Sequence, residues 1–277
     1  MRVLPAPRVA STPLARSDNS RTRTTRMLAL AVLGGSAIGV YLAFSQGARS
    51  GGRVLFAPTF PNGGLVTNEY AFYNPLDPRA VPSPVWEVTS GSLFALDGNG
   101  WTGRPDGQAA DAGSSSATDS AVFRLRTRQS DFGNVGVSFR LLLKRLVTTP
   151  RTPPQAYDGV HIWLRYHSPD ELYFASVSRR DGSIVIGKKL PEGLRGRYVD
   201  LARVPGQPLA LNRWSMVKAT VVSSGNTVRI RVFVDGRLLA TAVDSGAGGP
   251  PILGPGRVGI RGDNAEFEFS GFRVTQE

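Results

Sequence analysis

Alternating hydrophobic and polar residues run through most of the chain after residue 53 and predict β-strands. In Val228–Val234 every second residue is aliphatic, and two arginines and a phenylalanine lie between them. Successive side chains of a strand point to opposite faces, so this segment is predicted to be half buried. Asp235 and Gly236 follow, and both residue types tolerate the positive φ angles of a two-residue hairpin turn. The chain is then expected to return as the strand Arg237–Val243.

The same pattern recurs in three consecutive segments. They are Val160–Tyr166, Leu172–Arg179 and Ile184–Leu190. The first is connected to the second by His167–Glu171, which contains a proline, and Asp181-Gly182 separates the second from the third. Turn residues between short alternating runs are typical of antiparallel hairpins, so these segments are predicted to form a three-stranded meander.

Further strands are predicted at Ala121–Arg128, Asn134–Leu143, Trp214–Val222, Arg257–Arg261 and Glu266–Val274. Phe139–Val147 is compatible with an amphipathic helix, but its alternation favours a strand. Asp106–Ser120 and the proline-rich Thr148–Gln155 are predicted to be surface loops. The many strands and the scarcity of helical periodicity predict an all-β fold, a sandwich of two antiparallel sheets formed by residues 54–277.

An uncharged hydrophobic segment precedes this domain. Met27–Phe44 is 18 residues long. As a helix it would be about 27 Å long, which nearly matches the thickness of the hydrocarbon core of a membrane, about 30 Å. Arg21, Arg23 and Arg26 precede it, so residues 1–26 are predicted to be a basic cytoplasmic tail, residues 45–53 a linker, and the β-domain extracytoplasmic. Ala43 and Ser45 suit a signal peptidase, so the leader is either an uncleaved membrane anchor or a signal peptide whose removal makes the protein secreted.

The position of the basic residues argues against a nucleic-acid-binding protein. The chain has a net charge of +12, of which +6 lies in the first 50 residues. No nucleic-acid-binding motif accompanies the remaining charge, so no nucleic-acid partner is predicted. The chain contains no cysteine, which excludes disulfides, thiolate metal sites and cysteine nucleophiles.

Three stretches of the sequence resemble a known superfamily. They are DGVHIWLRYHSPDELYFASVSRRDGSIVIGKKL, LNRWSMVKATVVSSGNTVRIRVFVDGRLLATAVDS and GPGRVGIRGDNAEFEFSGFRV. Together they resemble the family 16 glycoside hydrolase-like, or 3-keto-disaccharide hydrolase-like, domains of the concanavalin A-like (LamG-like) jelly-roll superfamily. The upstream stretch YNPLDPRAVPSPVWEVTSGSLFALDGNGWTG resembles the N-terminal part of uncharacterised actinobacterial members. The resemblance spans about Leu55 to Val274 and implies a jelly-roll sandwich. Its motifs specify strands and turns, so they imply a fold more strongly than an activity.

Evidence for catalysis in the sequence is weak. Family 16 hydrolases carry their carboxylates in an E-x-D-x-x-E string, which is missing here. Glu266 and Glu268 share one strand face, but a solvated strand edge explains them as well as a catalytic role does. His161 and His167 are the chain's two histidines, and no nucleophile motif accompanies them. Neither a metal nor another cofactor is predicted, although calcium bound through loop carbonyls would leave no sequence pattern.

One set of residues is predicted to bind a ligand. If Arg165 faces Tyr173 across the meander, then one sheet face carries a basic and aromatic strip, defined as His161, Trp163, Arg165, Tyr173 and Lys188. Aromatic rings stack on sugars and basic groups pair with acidic substituents, so the strip predicts noncatalytic binding of an extracellular or cell-surface polysaccharide.

Three alternatives stay open for this strip. The first is a polysaccharide lyase or glycoside hydrolase acting on an anionic glycan, in which His161 and Tyr173 are the candidate catalytic residues. The second is an envelope structural or adhesion module that binds protein. The third is a purely structural role, since exposed strand faces often carry such residues.

Overall fold

The computed structural model describes residues 52–104, 122–192 and 196–277. The predicted membrane segment Met27–Phe44 and the predicted loop Asp106–Ser120 lie outside these ranges. Within them, no helix is long and apolar enough to cross a membrane.

Sixteen strands and one short helix account for the regular structure of these ranges. In chain order they are β1 (Val54–Phe56), β2 (Gly63–Asn68), α1 (Tyr70–Tyr73), β3 (Trp86–Ser90), β4 (Ser92–Leu96), β5 (Asn99–Trp101), β6 (Val122–Thr127), β7 (Val135–Leu146), β8 (Gly159–Ser168), β9 (Glu171–Arg179), β10 (Ile184–Leu190), β11 (Arg197–Val204), β12 (Trp214–Ser224), β13 (Thr227–Val234), β14 (Arg237–Asp244), β15 (Arg257–Asp263) and β16 (Ala265–Gln276).

The strands form two antiparallel sheets packed face to face. A nine-stranded sheet has the order β14-β13-β12-β7-β16-β5-β4-β2, with β1 also paired to β16. A seven-stranded sheet has the order β11-β10-β9-β8-β15-β6-β3. The predicted all-β, two-sheet antiparallel sandwich is confirmed.

The core lies between the sheets and is filled by alternate residues of their strands. In β13, Val228, Ile230 and Val232 are fully buried, as their alternation predicts. In β16, Phe267 and Phe269 are fully buried against the opposite sheet. Burial of aliphatic and aromatic side chains from both inner faces is the main stabilising contribution in such a sandwich.

All ten predicted strands are present, with ends within about three residues of the predicted ones. The ambiguous segment Phe139–Val147 lies almost wholly in β7. At the predicted hairpin, Asp235 and Gly236 have φ angles of 49° and 78°, so both adopt the expected left-handed conformation. The predicted loop Thr148–Gln155 contains no strand, only an isolated bridge between Thr149 and Thr152.

The first five strands and β11 were not predicted. Two of them, β1 and β5, have three residues each, too few for alternation to be recognised. β11 is an edge strand whose residues are half buried or exposed, which weakens its hydrophobic pattern.

Candidate functional site

A cleft of about 900 Å³ lies on the outer face of the seven-stranded sheet. Strand alternation determines which residues reach it. In β8, Ile162 and Leu164 are buried in the core, so His161 and Trp163 point to the opposite, outer face. Both line the cleft.

The register of the sheet arranges the floor of the cleft in rows that cross the strands. One row runs from Arg124 in β6 through Arg261 in β15 and His161 in β8 to Ser176 in β9. The next row contains Arg126, Gly259, Trp163, Phe174 and Gly187. A side chain at Gly187 would lie within 2.4 Å of the Phe174 ring, so the glycine makes room for that ring.

Aromatic residues form much of the cleft wall. The seven that line it are Phe72, Tyr73, Tyr157, Trp163, Tyr166, Phe174 and Tyr198. The Trp163 and Tyr166 rings lie 5.1 Å apart at 35°, and the Phe174 and Tyr198 rings 5.7 Å apart at 70°. The cleft therefore offers apolar ring faces together with hydroxyl groups.

Positive charge exceeds negative charge in the cleft. Among the described residues, six basic ones line it against three acidic ones, Asp170, Asp200 and Asp263. Each acidic residue is paired: Asp170 lies 2.6 Å from Lys189, Asp200 lies 2.9 Å from Arg203, and Asp263 lies 2.7 Å from Arg261.

His161 lies between a serine and an aspartate. Its Nδ1 is 2.7 Å from Oγ of Ser176, and its Nε2 is 3.2 Å from Oδ2 of Asp263. Burial lowers the pKa of His161, although Asp263 opposes this effect. Burial alone would raise the pKa of Asp263, but the Arg261 charge and the His161 hydrogen bond lower it to about 2. At neutral pH the pair is therefore a neutral imidazole beside a carboxylate.

The order of Ser176, His161 and Asp263 is that of a nucleophilic triad, but two features oppose that role. Ser176 is wholly buried, so a substrate carbonyl cannot reach its hydroxyl. The Asp263 carboxylate is also held by two nitrogens of Arg261, at 2.7 and 2.8 Å. The three residues come from three different strands, so no short sequence motif indicates their arrangement.

The predicted position of Arg165 on the strip is wrong. Arg165 has a φ of 46° at an irregularity where the β8–β9 register shifts between Leu164 and Ser168. Such a bulge breaks the alternation of side chains, so Arg165 is buried and Tyr166 faces the cleft instead. The Arg165 guanidinium donates to the Ile252 carbonyl at 2.9 Å. Burial lowers its pKa.

The predicted positions of Tyr173 and Lys188 are also wrong. Tyr173 pairs with Leu164 and with Lys188, not with Arg165. A shift of one residue exchanges the two faces of a strand, so both side chains point into the domain. The Tyr173 hydroxyl donates to Asp244 at 2.6 Å, and Lys188 Nζ lies 2.8 Å from the same carboxylate. The candidate catalytic pair of His161 and Tyr173 therefore lies on opposite faces of the sheet.

Glu266 and Glu268 do share one face, but not at a strand edge. β16 lies between β7 and β5 in the nine-stranded sheet, whereas the cleft lies on the seven-stranded sheet. Glu266 pairs with Arg145 at 2.7 Å, and Glu268 pairs with Lys144 at 2.6 Å. These ion pairs account for both carboxylates structurally.

No group of three or more potential metal-ligating side chains occurs in residues 52–104, 122–192 and 196–277.

We expect acidification to destabilise the domain through His161. The buried ring has a pKa below its ordinary value of about 6.5, and the unfolded chain regains that ordinary value. Below about pH 6.5 the unfolded state takes up the proton first, so the free energy of unfolding falls. Urea unfolding at about pH 7.5 and about pH 5 measures this change. Between the two pH values, the free energy of unfolding should fall less for His161→Gln than for the parent. Equal falls would contradict this assignment.

Comparison with known proteins identifies the fold. No protein-family model and no curated protein sequence matches the chain significantly. Among solved structures, one reported for endo-acting O-glycanases of the human gut microbiota is 12% identical, with a TM-score of 0.50, covering 81% of this chain and 100% of that one.

Two further similar structures come from sugar-handling proteins. The catalytic domain of an endo-1,3-beta-glucanase from Thermotoga petrophila is 10% identical, with a TM-score of 0.49 and coverage of 82% and 98%. The Emp46p carbohydrate recognition domain is 12% identical, with a TM-score of 0.47 and coverage of 78% and 95%. The likeness to the O-glycanase structure, at 12% identity, concerns the fold alone.

Proposed function

We propose that the domain binds a polysaccharide or oligosaccharide in the cleft without cleaving it. The observation that carries this proposal is the combination of seven aromatic residues and six basic residues around a cleft of about 900 Å³. This volume lies in the range of ordinary ligand sites, about 300–1,000 Å³. Aromatic rings with polar edges suit sugars, which present apolar C–H faces and polar hydroxyl groups.

The state of the carboxylates argues against a glycoside hydrolase. That chemistry needs a protonated general acid and a second carboxylate near the same glycosidic bond. The three acidic residues that line the cleft in the described part of the chain are paired with basic groups, and the pKa of Asp263 is lowered, the opposite of what a general acid requires. A binding role fits this arrangement better.

The sequence supplies the proposed location. We infer from Met27–Phe44 and the arginines before it that the sandwich lies outside the cytoplasm, anchored to the membrane or secreted. Its ligand would then be a glycan of the cell surface or of the surroundings. The family assignment within the concanavalin A-like superfamily is part of the same proposal and rests on the sequence motifs.

A glycan array probed with the purified full chain tests the proposal. We expect binding to a restricted set of glycans, with no shortening of the bound oligosaccharides when the products are analysed by mass spectrometry. Binding with a dissociation constant in the micromolar to millimolar range, about 4–8 kcal/mol, would be ordinary for a site of this size. Absence of any glycan ligand would contradict the proposal, and cleavage of the ligand would replace it with an enzymatic function.

A further inference from the structure

Within residues 52–104, 122–192 and 196–277, Arg124 differs from the other basic residues of the cleft in having no carboxylate partner. Arg261 pairs with Asp263, Lys189 with Asp170, and Arg126 with Glu87. Arg179 and Arg203 both pair with Asp181, and Arg203 also contacts Asp200. Among the described residues, Arg124 makes no hydrogen bond and no ion pair with a side chain.

The position of Arg124 makes this lack of a partner unfavourable. In the paired strands β6 and β15, Arg124 lies directly opposite Arg261. Like charges at directly opposed positions repel each other. Burial lowers the pKa of Arg124, and the charge of Arg261 adds to this effect. The single carboxylate nearby, Asp263, is already shared between Arg261 and His161.

Tyrosine residues line the cleft together with Arg124. They are Tyr73, Tyr157 and Tyr198, of which Tyr73 donates its hydroxyl proton to the Thr89 carbonyl at 3.0 Å. The Tyr198 hydroxyl accepts a hydrogen bond from Arg261 at 3.0 Å, which leaves its own proton free to be donated elsewhere. An arginine that has no carboxylate partner among the described residues, a second arginine beside it and the free hydroxyl proton of Tyr198 are groups that bind an oxyanion.

We propose that Arg124, with Arg261 and Tyr198 beside it, forms a subsite for the acidic group of a glycan, a carboxylate or a sulfate ester. This inference rests on the proposed function and specifies its ligand class as anionic. The acidic group supplies the negative charge that the cleft lacks at Arg124. Sugar rings attached to it extend along the next row of the floor, over Trp163 and Phe174.

The experiment is a calorimetric titration of the full chain with five probes. They are inorganic sulfate, free glucuronate, and uronate-containing, sulfated and neutral oligosaccharides of equal length. The variants are Arg124→Gln, which removes the charge, Arg124→Lys, which keeps it, and Arg231→Gln, which is the matched control because Arg231 is an exposed arginine on β13 of the nine-stranded sheet, outside the cleft.

The parent should bind at least one acidic oligosaccharide more tightly than the neutral one. Arg124→Gln should weaken acidic binding at least about tenfold, Arg124→Lys less, and Arg231→Gln by no more than about twofold. The neutral oligosaccharide should bind Arg124→Gln and the parent alike. Because Arg124→Gln relieves the repulsion with Arg261, its melting temperature should not fall, which separates loss of binding from loss of folding.

Two outcomes would overturn the subsite. One is equal affinity of the parent for acidic and neutral oligosaccharides. The other is undiminished acidic binding by Arg124→Gln. A different result would contradict the proposed function alone. In that case sulfate or glucuronate would bind and the binding would depend on Arg124, but no oligosaccharide would bind more tightly than these small anions. If none of the five probes binds, both proposals fall.

Discussion

Replacing Asp244 by alanine is expected to lower the free energy of unfolding by about 3–5 kcal/mol. Asp244 and Lys188 are both fully buried, and Lys188 Nζ lies 3.0 and 2.8 Å from the two carboxylate oxygens. Burial alone would raise the pKa of Asp244, but hydrogen bonds from Lys188 and Tyr173 lower it, so the carboxylate is charged at neutral pH. Removing it leaves an ammonium group in the core without its counter-ion.

The loss would be large compared with a typical total stability of about 5–15 kcal/mol. Urea unfolding of parent and variant measures it. The matched control is Asp170→Ala, which breaks the pair of Lys189, the residue next to Lys188. The Asp170 side chain is 36% exposed, so its replacement should change the free energy of unfolding by less than about 1 kcal/mol. Similar losses in the two variants would show that Lys188 and Asp244 are not the buried pair described above.

The second large effect is expected for Trp163→Ala, which should weaken glycan binding about thirtyfold, or by about 2 kcal/mol. Trp163 lies in the middle of the cleft floor beside Phe174 and Tyr166. Truncation removes a ring that packs with Tyr166, Leu172 and Phe174 and supports the floor of the cleft. Because Trp163 is 5% exposed, the variant should also lose about 3–5 kcal/mol of unfolding free energy, so its binding is measured at a temperature at which circular dichroism shows it folded.

Trp214→Ala is the matched control for this variant. Trp214 begins β12 in the other sheet, where the Arg140 guanidinium lies 4.9 Å from the centre of its ring. It is a half-buried tryptophan in a similar basic environment but away from the cleft. Calorimetry with an oligosaccharide chosen from the array should give an affinity for Trp214→Ala within about twofold of the parent. Equal weakening by the two variants would show that the cleft is not the binding site.

The fold was predictable because alternation in long strands is a strong local signal. β13 carries enough alternating residues to identify both the strand and its buried face. The residue types at Asp235 and Gly236 predicted the hairpin turn, and both residues have the expected positive φ. What alternation could not supply was the position of irregularities, since Arg165 is not a residue type that favours a positive φ.

The site was only partly predictable for the same reason. His161 and Trp163 were placed correctly because they precede the bulge at Arg165, whereas the assumed pairing of Arg165 with Tyr173 was one residue out of register. That error transferred Tyr173 and Lys188 to the wrong face.

Arg124 and Arg261 were missed although the signal for each was present. Arg124 lies between the core residues Phe123 and Leu125, and Arg261 follows the core residue Ile260, so both were identifiable as outward-facing. What the sequence does not contain is the order of strands in the sheet. Only the adjacency of β6, β15 and β8 shows that these arginines join His161 in one cleft.

The most direct test of glycan binding in the cleft is to observe the tryptophan indole signals by 15N nuclear magnetic resonance during a titration with the array-selected oligosaccharide. The chain has four tryptophans, so four indole signals are expected, each assigned by substitution. The indole signal of Trp163 should shift progressively and saturate with the ligand, while that of Trp214 stays in place. A shift of the Trp214 signal with an unmoved Trp163 signal would contradict the assignment of the cleft as the sugar-binding site.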